Sequence, residues 1–157
     1  MAKEHLEIYL NDHLAGAVVA LELLEDLERE GTGITKSLAE LRADIEADRT
    51  ELLALMHRLG IDESRTRKAS GWLTEMAARI KMRVDDKASG SLRLLESLEV
   101  IALGIHGKLA LWLALSAVSE IASELRGVDY ERLAKRAQEQ RQRVEMLRLN
   151  AAKAALA

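Results

Sequence analysis

Apolar residues recur at alternating intervals of three and four along nearly the whole chain, the spacing that lays one apolar stripe along an α-helix. Five helical segments are predicted. The first runs from about Lys3 to Glu30, with the stripe Leu6, Leu10, His13, Ala17, Ala20, Leu24 and Leu27. The second, about Lys36 to Leu59, carries Leu38, Leu41, Ile45, Asp48, Leu52, Leu55 and Leu59. The third, about Glu63 to Lys87, turns Trp72, Leu73, Met76, Ile80 and Val84 to one side. The fourth spans about Leu92 to Leu125. The fifth follows Asp129 with Tyr130, Leu133, Ala137, Gln140, Val144, Leu147, Ala151 and Ala154.

The breaks are short. Gly31, Gly33, Gly60 and Gly127 stand where helices end, and Ser89-Gly90-Ser91 reads as a loop. Ser37 and Glu40 have capping-box spacing, and Asp62 and Asp129 are N-cap types. No proline interrupts any segment. Short connections pack sequence neighbours antiparallel. The expected fold is therefore all-α, one domain over residues 1–157: an up-and-down antiparallel bundle of four long helices plus one, the third being the addition.

The fourth helix differs from the rest. Val100 to Val118 is apolar almost all round, long enough to cross a bilayer. Lys108 and His106 near its centre would be costly in lipid. The expectation is a buried central helix that also supplies a homodimer contact through residues 92–125, and no membrane. Gly104 and Gly107 would let a neighbouring backbone approach closely.

Composition narrows the chemistry. The chain has no cysteine, which excludes disulfides, thiolate nucleophiles and Cys-ligated metals. Residues 1–30 lack the pattern of a signal peptide. A cytoplasmic location is expected. Residues 1–60 hold six Lys/Arg against thirteen Asp/Glu, a balance of −7, and residues 61–157 hold seventeen against thirteen, +4. Opposite halves of that kind attract each other within a bundle. The arginines of the last helix are interleaved with Glu131, Glu139 and Glu145, and no aromatic is placed for base stacking, so no nucleic-acid partner is expected.

Polar residues interrupt the seams at mid-helix. His13, Asp48 and Gln140 lie on apolar stripes, and His106 lies midway along the fourth helix. Aligned, His13, Asp48, His106 and Gln140 would form a buried polar layer whose members must hydrogen-bond one another. A metal or catalytic site built on histidine and carboxylate is the sharper alternative. Its donors would be Glu46, Glu99, His106, Glu145 and His13. No Glu-x-x-His occurs: the residues three before His5, His13, His57 and His106 are Ala2, Leu10, Ala54 and Leu103. What occurs instead is Glu46-x-x-Arg49 and Glu145-x-x-Arg148.

In those two motifs and in its long helices the chain resembles the ferritin-like superfamily, whose Glu-x-x-His pairs sit on the second and fourth core helices. The resemblance implies that Glu46 and Glu145 match the motif glutamates and that Arg49 and Arg148 stand where the family has histidine. Arginine offers no lone pair to a cation, so a salt bridge would replace the ions. Solvent-facing helix charges are the plainer reading of both pairs.

No phosphate-binding or nucleophile-elbow pattern is present. The expected function is accordingly non-catalytic, without cofactor: a ferritin-like bundle acting through protein association. Two alternatives stand beside it, a di-iron or manganese oxidoreductase or storage module, and an apolar-ligand or membrane-associated bundle with the fourth helix lining a cavity.

Overall fold

The structure, a computed structural model, describes residues 2–64, 71–82 and 90–157, and the side chains within them except at 71–73. Among the described residues five helices form: α1 (Ala2–Arg29), α2 (Thr35–Arg58), α3 (Gly71–Met82), α4 (Gly90–Ser119) and α5 (Tyr130–Leu156), with a short 3-10 turn at Ser123–Leu125. No strand occurs among the described residues.

Local chemistry accounts for most of the ends. Gly31, Gly60 and Gly127 take φ of 67°, 63° and 88°, a left-handed backbone that side chains with a Cβ resist. The Asp129 carboxylate accepts from the Arg132 backbone N–H at 3.0 Å and starts α5. Three boundaries differ from expectation. Helix α2 starts at Thr35, so Ser37 lies inside it instead of at its cap. Gly90 and Ser91 open α4 and belong to no loop. Helix α4 stops at Ser119, not Leu125, where the chain tightens to i→i−3 bonds from the Glu120 N–H to the Ala117 carbonyl and from the Ile121 N–H to the Val118 carbonyl. Of the third segment, residues 63–64 are not helical. The expected parts at 65–70 and 83–87, the side chains of Trp72 and Leu73, Val84 and Ser89 lie outside the described residues.

The core falls into two clusters. One joins Leu10 and Leu14 of α1, Leu52, Leu55 and Met56 of α2, Leu109, Trp112 and Leu115 of α4, and Leu133 and Ala137 of α5. The other joins Leu23 to Leu27, Leu38 to Ile45, Leu95 to Ile105, and Val144 and Ala151. Helices α1 and α5 thus run from the first cluster to the second, and α2 and α4 run back. The pairs α1–α2 and α4–α5 are antiparallel hairpins. Because α2 and α4 point the same way, the chain between them returns along the bundle, and α3 lies on that return. It packs Ala77 and Ile80 into the second cluster. The buried Arg93 guanidinium donates to the Ile80 carbonyl at 3.2 Å and pairs with Glu30.

Helices α2 and α5 face each other across ion pairs. Glu51 meets Arg132 at 2.8 Å, Asp48 meets Arg136, and Asp44 meets Arg143. Their order, rising on one helix as it falls on the other, fixes the antiparallel register. At the first-cluster end, the buried Asn11 amide holds the chain that leaves α2. It donates to Asp62 O at 3.2 Å and accepts from Ser64 N at 2.7 Å.

A buried polar layer beside a glycine-lined cavity

Between the two clusters the apolar core gives way to charge. Asp48 is 1% exposed and Gln140 is fully buried. Asp48 Oδ1 accepts from Arg136 Nε at 2.7 Å. Its Oδ2 accepts from Gln140 Nε2 at 2.8 Å and from Lys108 Nζ at 2.5 Å. Lys108 also donates to Gln140 Oε1. One carboxylate, one amide and two cations therefore close a network across α2, α4 and α5. Burial pushes the Lys108 ammonium below its ordinary 10.5, and the Asp48 carboxylate pulls it back up. A charge taken from water is tolerated only when it is paired in this way.

One side of this layer opens into a cavity of about 310 Å³ between α1, α2 and α4. Its wall is Gly16, Ala17 and Ala20 of α1, Ile45, Asp48, Arg49 and Leu52 of α2, and Leu103, Gly104, Ile105, Gly107, Lys108, Leu111 and Trp112 of α4, with Asp12 and His13 also lining it. Glycine makes the space. Gly71 and Gly90 are the first residues of their helices. The other three helical glycines, Gly16, Gly104 and Gly107, all stand mid-helix and all line this cavity. A Cβ added at Gly16 or Gly107 would meet nothing within 4 Å, and at Gly104 only Ala20 Cβ at 3.9 Å. Gly104 thus serves the close approach of α1 and α4, whereas Gly107 faces open volume.

Two residues of the wall carry a buried donor with no hydrogen-bond partner among the described residues, at Trp112 Nε1 and Arg49 Nε. Trp112 is 1% exposed. His13 is half-buried, its ring edge-on to Tyr9 at 4.7 Å. Burial lowers His13 from 6.5, against a smaller upward pull from Asp12.

The four residues expected to share a layer are thus divided. Asp48 and Gln140 bond each other. His13 lines the adjoining cavity. His106 is exposed and lines an open groove between α4 and α5 with Glu99, Glu145 and Arg148. The expectation for His106 is corrected by helix geometry. Ile105 faces the core, and the next residue is rotated by about 100° away from it. Lys108, three residues on, swings back to the inner side and takes the place expected for His106.

Arg49 and Arg148 do not form a salt bridge in the core. Arg49 pairs with Glu46 at 3.1 Å beside α1, and the glutamate of that pair is half exposed. Arg148 pairs with Glu145 at 2.7 Å and with Glu99 at 3.4 Å on the outer face of α4 and α5. Each glutamate lies three residues before its arginine on one helix, a neighbourhood that any helix surface provides. Glu46 sits on one hairpin, Glu99, His106 and Glu145 on the other, and His13 in the cavity. Among the described residues no three His, Asp or Glu side chains come together as a metal ion requires. The residues present do not fit a di-iron centre.

Lys108 and Arg136 were not expected at the site. The signal for Lys108 was in the sequence: the lone Lys or Arg in the apolar stretch from Val100 to Val118 and a lone carboxylate in another helix's apolar stripe are natural partners. Arg136 carried no such signal, being one of several arginines on a charged helix.

Comparison with protein-family models, with curated proteins and with solved structures gave no match.

Proposed function

We propose that this protein is a non-catalytic, ferritin-like helical bundle that holds a small apolar molecule in its mid-bundle cavity. Two antiparallel hairpins joined by one long crossover support the ferritin-like part of the reading. The observation that carries the binding part is the convergence of Gly16, Gly104 and Gly107 on one cavity. A mid-helix glycine costs roughly 0.5–1 kcal/mol relative to alanine. At Gly16 and Gly107, where an added methyl would meet nothing within 4 Å, the glycine trades stability for volume, while Gly104 lets α1 approach α4. The volume, about 310 Å³, lies at the small end of ordinary ligand pockets, about 300–1,000 Å³.

Calorimetric titration with octan-1-ol, an apolar probe of suitable size, tests the reading. Wild type binds it at one site. Gly107→Leu, which fills the space and keeps its helical content, does not. Equal binding by both proteins would refute the proposal.

A second reading is favoured by the outer face of α4. Leu103, Leu113 and Val118 are 46%, 55% and 41% exposed. Leu103, Ala110, Leu113 and Ala117 lie on one exposed stripe with His106 among them at three- and four-residue spacing, and Val118 lies beside it. It continues onto α5 through Met146 and Leu149, which are 68% and 47% exposed. By length and composition α4 could also cross a membrane, with 39% of its most apolar stretch buried. The occupant proposed for this face is a second copy of the chain, as an isologous two-fold contact.

A further inference from the structure

The cavity wall is chemically one-sided. Both oxygens of its one buried carboxylate, Asp48, are already taken by Arg136, Lys108 and Gln140. The donors are not all used. Trp112 Nε1 is a donor only, buried and without a partner among the described residues, and the same holds for Arg49 Nε. Lys108 has three N–H groups, of which Asp48 and Gln140 account for two. Charge leans the same way. In the buried layer Asp48 faces both Lys108 and Arg136, one negative charge against two positive. The Arg49 charge is matched by Glu46. Asp12 also lines the cavity but is exposed, so water screens it. A buried donor left without an acceptor is costly, and a molecule that brings acceptors recovers that cost. His13, half-buried, also lines the cavity and offers one acceptor nitrogen when neutral; the rest of the wall, with its glycines, alanines, Ile45, Leu52 and Leu111, is apolar.

We infer that the occupant is a small organic acid, an apolar body ending in a carboxylate, whose oxygens are received by Arg49, Lys108 and Trp112. This rests on the ligand-binding reading above and names the class of molecule that reading leaves open. A carboxylate satisfies Arg and Lys through charge-assisted bonds that a hydroxyl of the same chain length cannot match.

Octanoate and octan-1-ol, titrated in parallel, separate the two levels of the claim. Wild type binds octanoate about tenfold more tightly than octan-1-ol, the ratio that one charge-assisted hydrogen bond supplies. Arg49→Gln and Trp112→Phe each keep the apolar wall and remove a donor. Both lower octanoate affinity and leave octan-1-ol affinity within about twofold, so the ratio falls in each. If neither probe binds, the ligand-binding reading itself fails. If octan-1-ol binds as tightly as octanoate, or both variants keep the wild-type ratio, the cavity is a ligand site and the acid assignment is wrong.

Discussion

Lys108 Nζ lies 2.5 Å from Asp48 Oδ2 and ties together α4 and α2, two helices that run the same way through the bundle. Asp48 is the only carboxylate in that buried network. Removing its charge strands two cations, one of them deeply buried. Asp48→Asn keeps the shape and is predicted to lower stability by about 3–5 kcal/mol, the range for breaking a buried pair from one side. Urea unfolding of the two proteins measures this. A loss under about 0.5 kcal/mol, the range of a surface substitution, would mean the network is solvated.

The arginine of the second Glu-x-x-Arg motif should behave as a surface residue. Arg148 reaches Glu145 and Glu99, partners that are themselves about half exposed. Arg148→Gln is expected to cost less than about 1 kcal/mol and to lose even that effect in high salt. A salt-independent loss several times larger would restore these residues to the core.

Glycine substitutions separate the cavity from the helix. Gly107→Ala places a methyl in open space and should raise stability by about 0.5–1 kcal/mol. Gly104→Ala should gain less, since its Cβ comes to 3.9 Å from Ala20. Destabilisation at Gly107 would show that the wall closes over that position.

His13 gives a pH signature. Its folded-state value is lowered, so the unfolded chain binds the proton more tightly. The stability it contributes is fully present above about 6.5 and is lost as the pH falls through that value towards the lower folded one. His13→Gln removes this component. The difference in unfolding free energy, wild type minus variant, should therefore grow between about pH 5 and pH 7. A difference that stays flat would place the imidazole in bulk water.

The outer face of α4 makes a separate prediction. If a second copy covers Leu113, which is 55% exposed, then Leu113→Glu puts a charge into that contact and shifts the sedimentation coefficient from dimer to monomer with the fold unchanged. A wild type that sediments as a monomer at every concentration would remove this reading.

How much of this was legible in the sequence depends on what encodes it. The stripes are encoded locally, so the helices, the caps at Gly31, Gly60, Gly127 and Asp129, and the mid-helix positions of Asp48 and Gln140 could be read directly. Rotation about α4 was the weak point. A helix apolar on nearly every side has no preferred inner face, so periodicity could not tell His106 from Lys108. Direction was the second. A short break implies an antiparallel neighbour, but the return of the chain between α2 and α4 depends on where both hairpins bury their faces. A cavity along the fourth helix was among the alternatives, but its glycine lining was hidden for a third reason. Gly16 lies far from Gly104 and Gly107 in sequence, and only the packing of α1 on α4 gathers them.

The central claim is that those three glycines enclose a binding site. Amide NMR during an octanoate titration tests it most directly, because glycine amides are resolved and each reports its own surroundings. The account predicts that the signals of Gly16, Gly104 and Gly107 shift together and saturate at one equivalent, while those of Gly31, Gly60 and Gly127 stay still. Shifts confined to the outer face of α4 and α5, or none at all in the three cavity glycines, would contradict it.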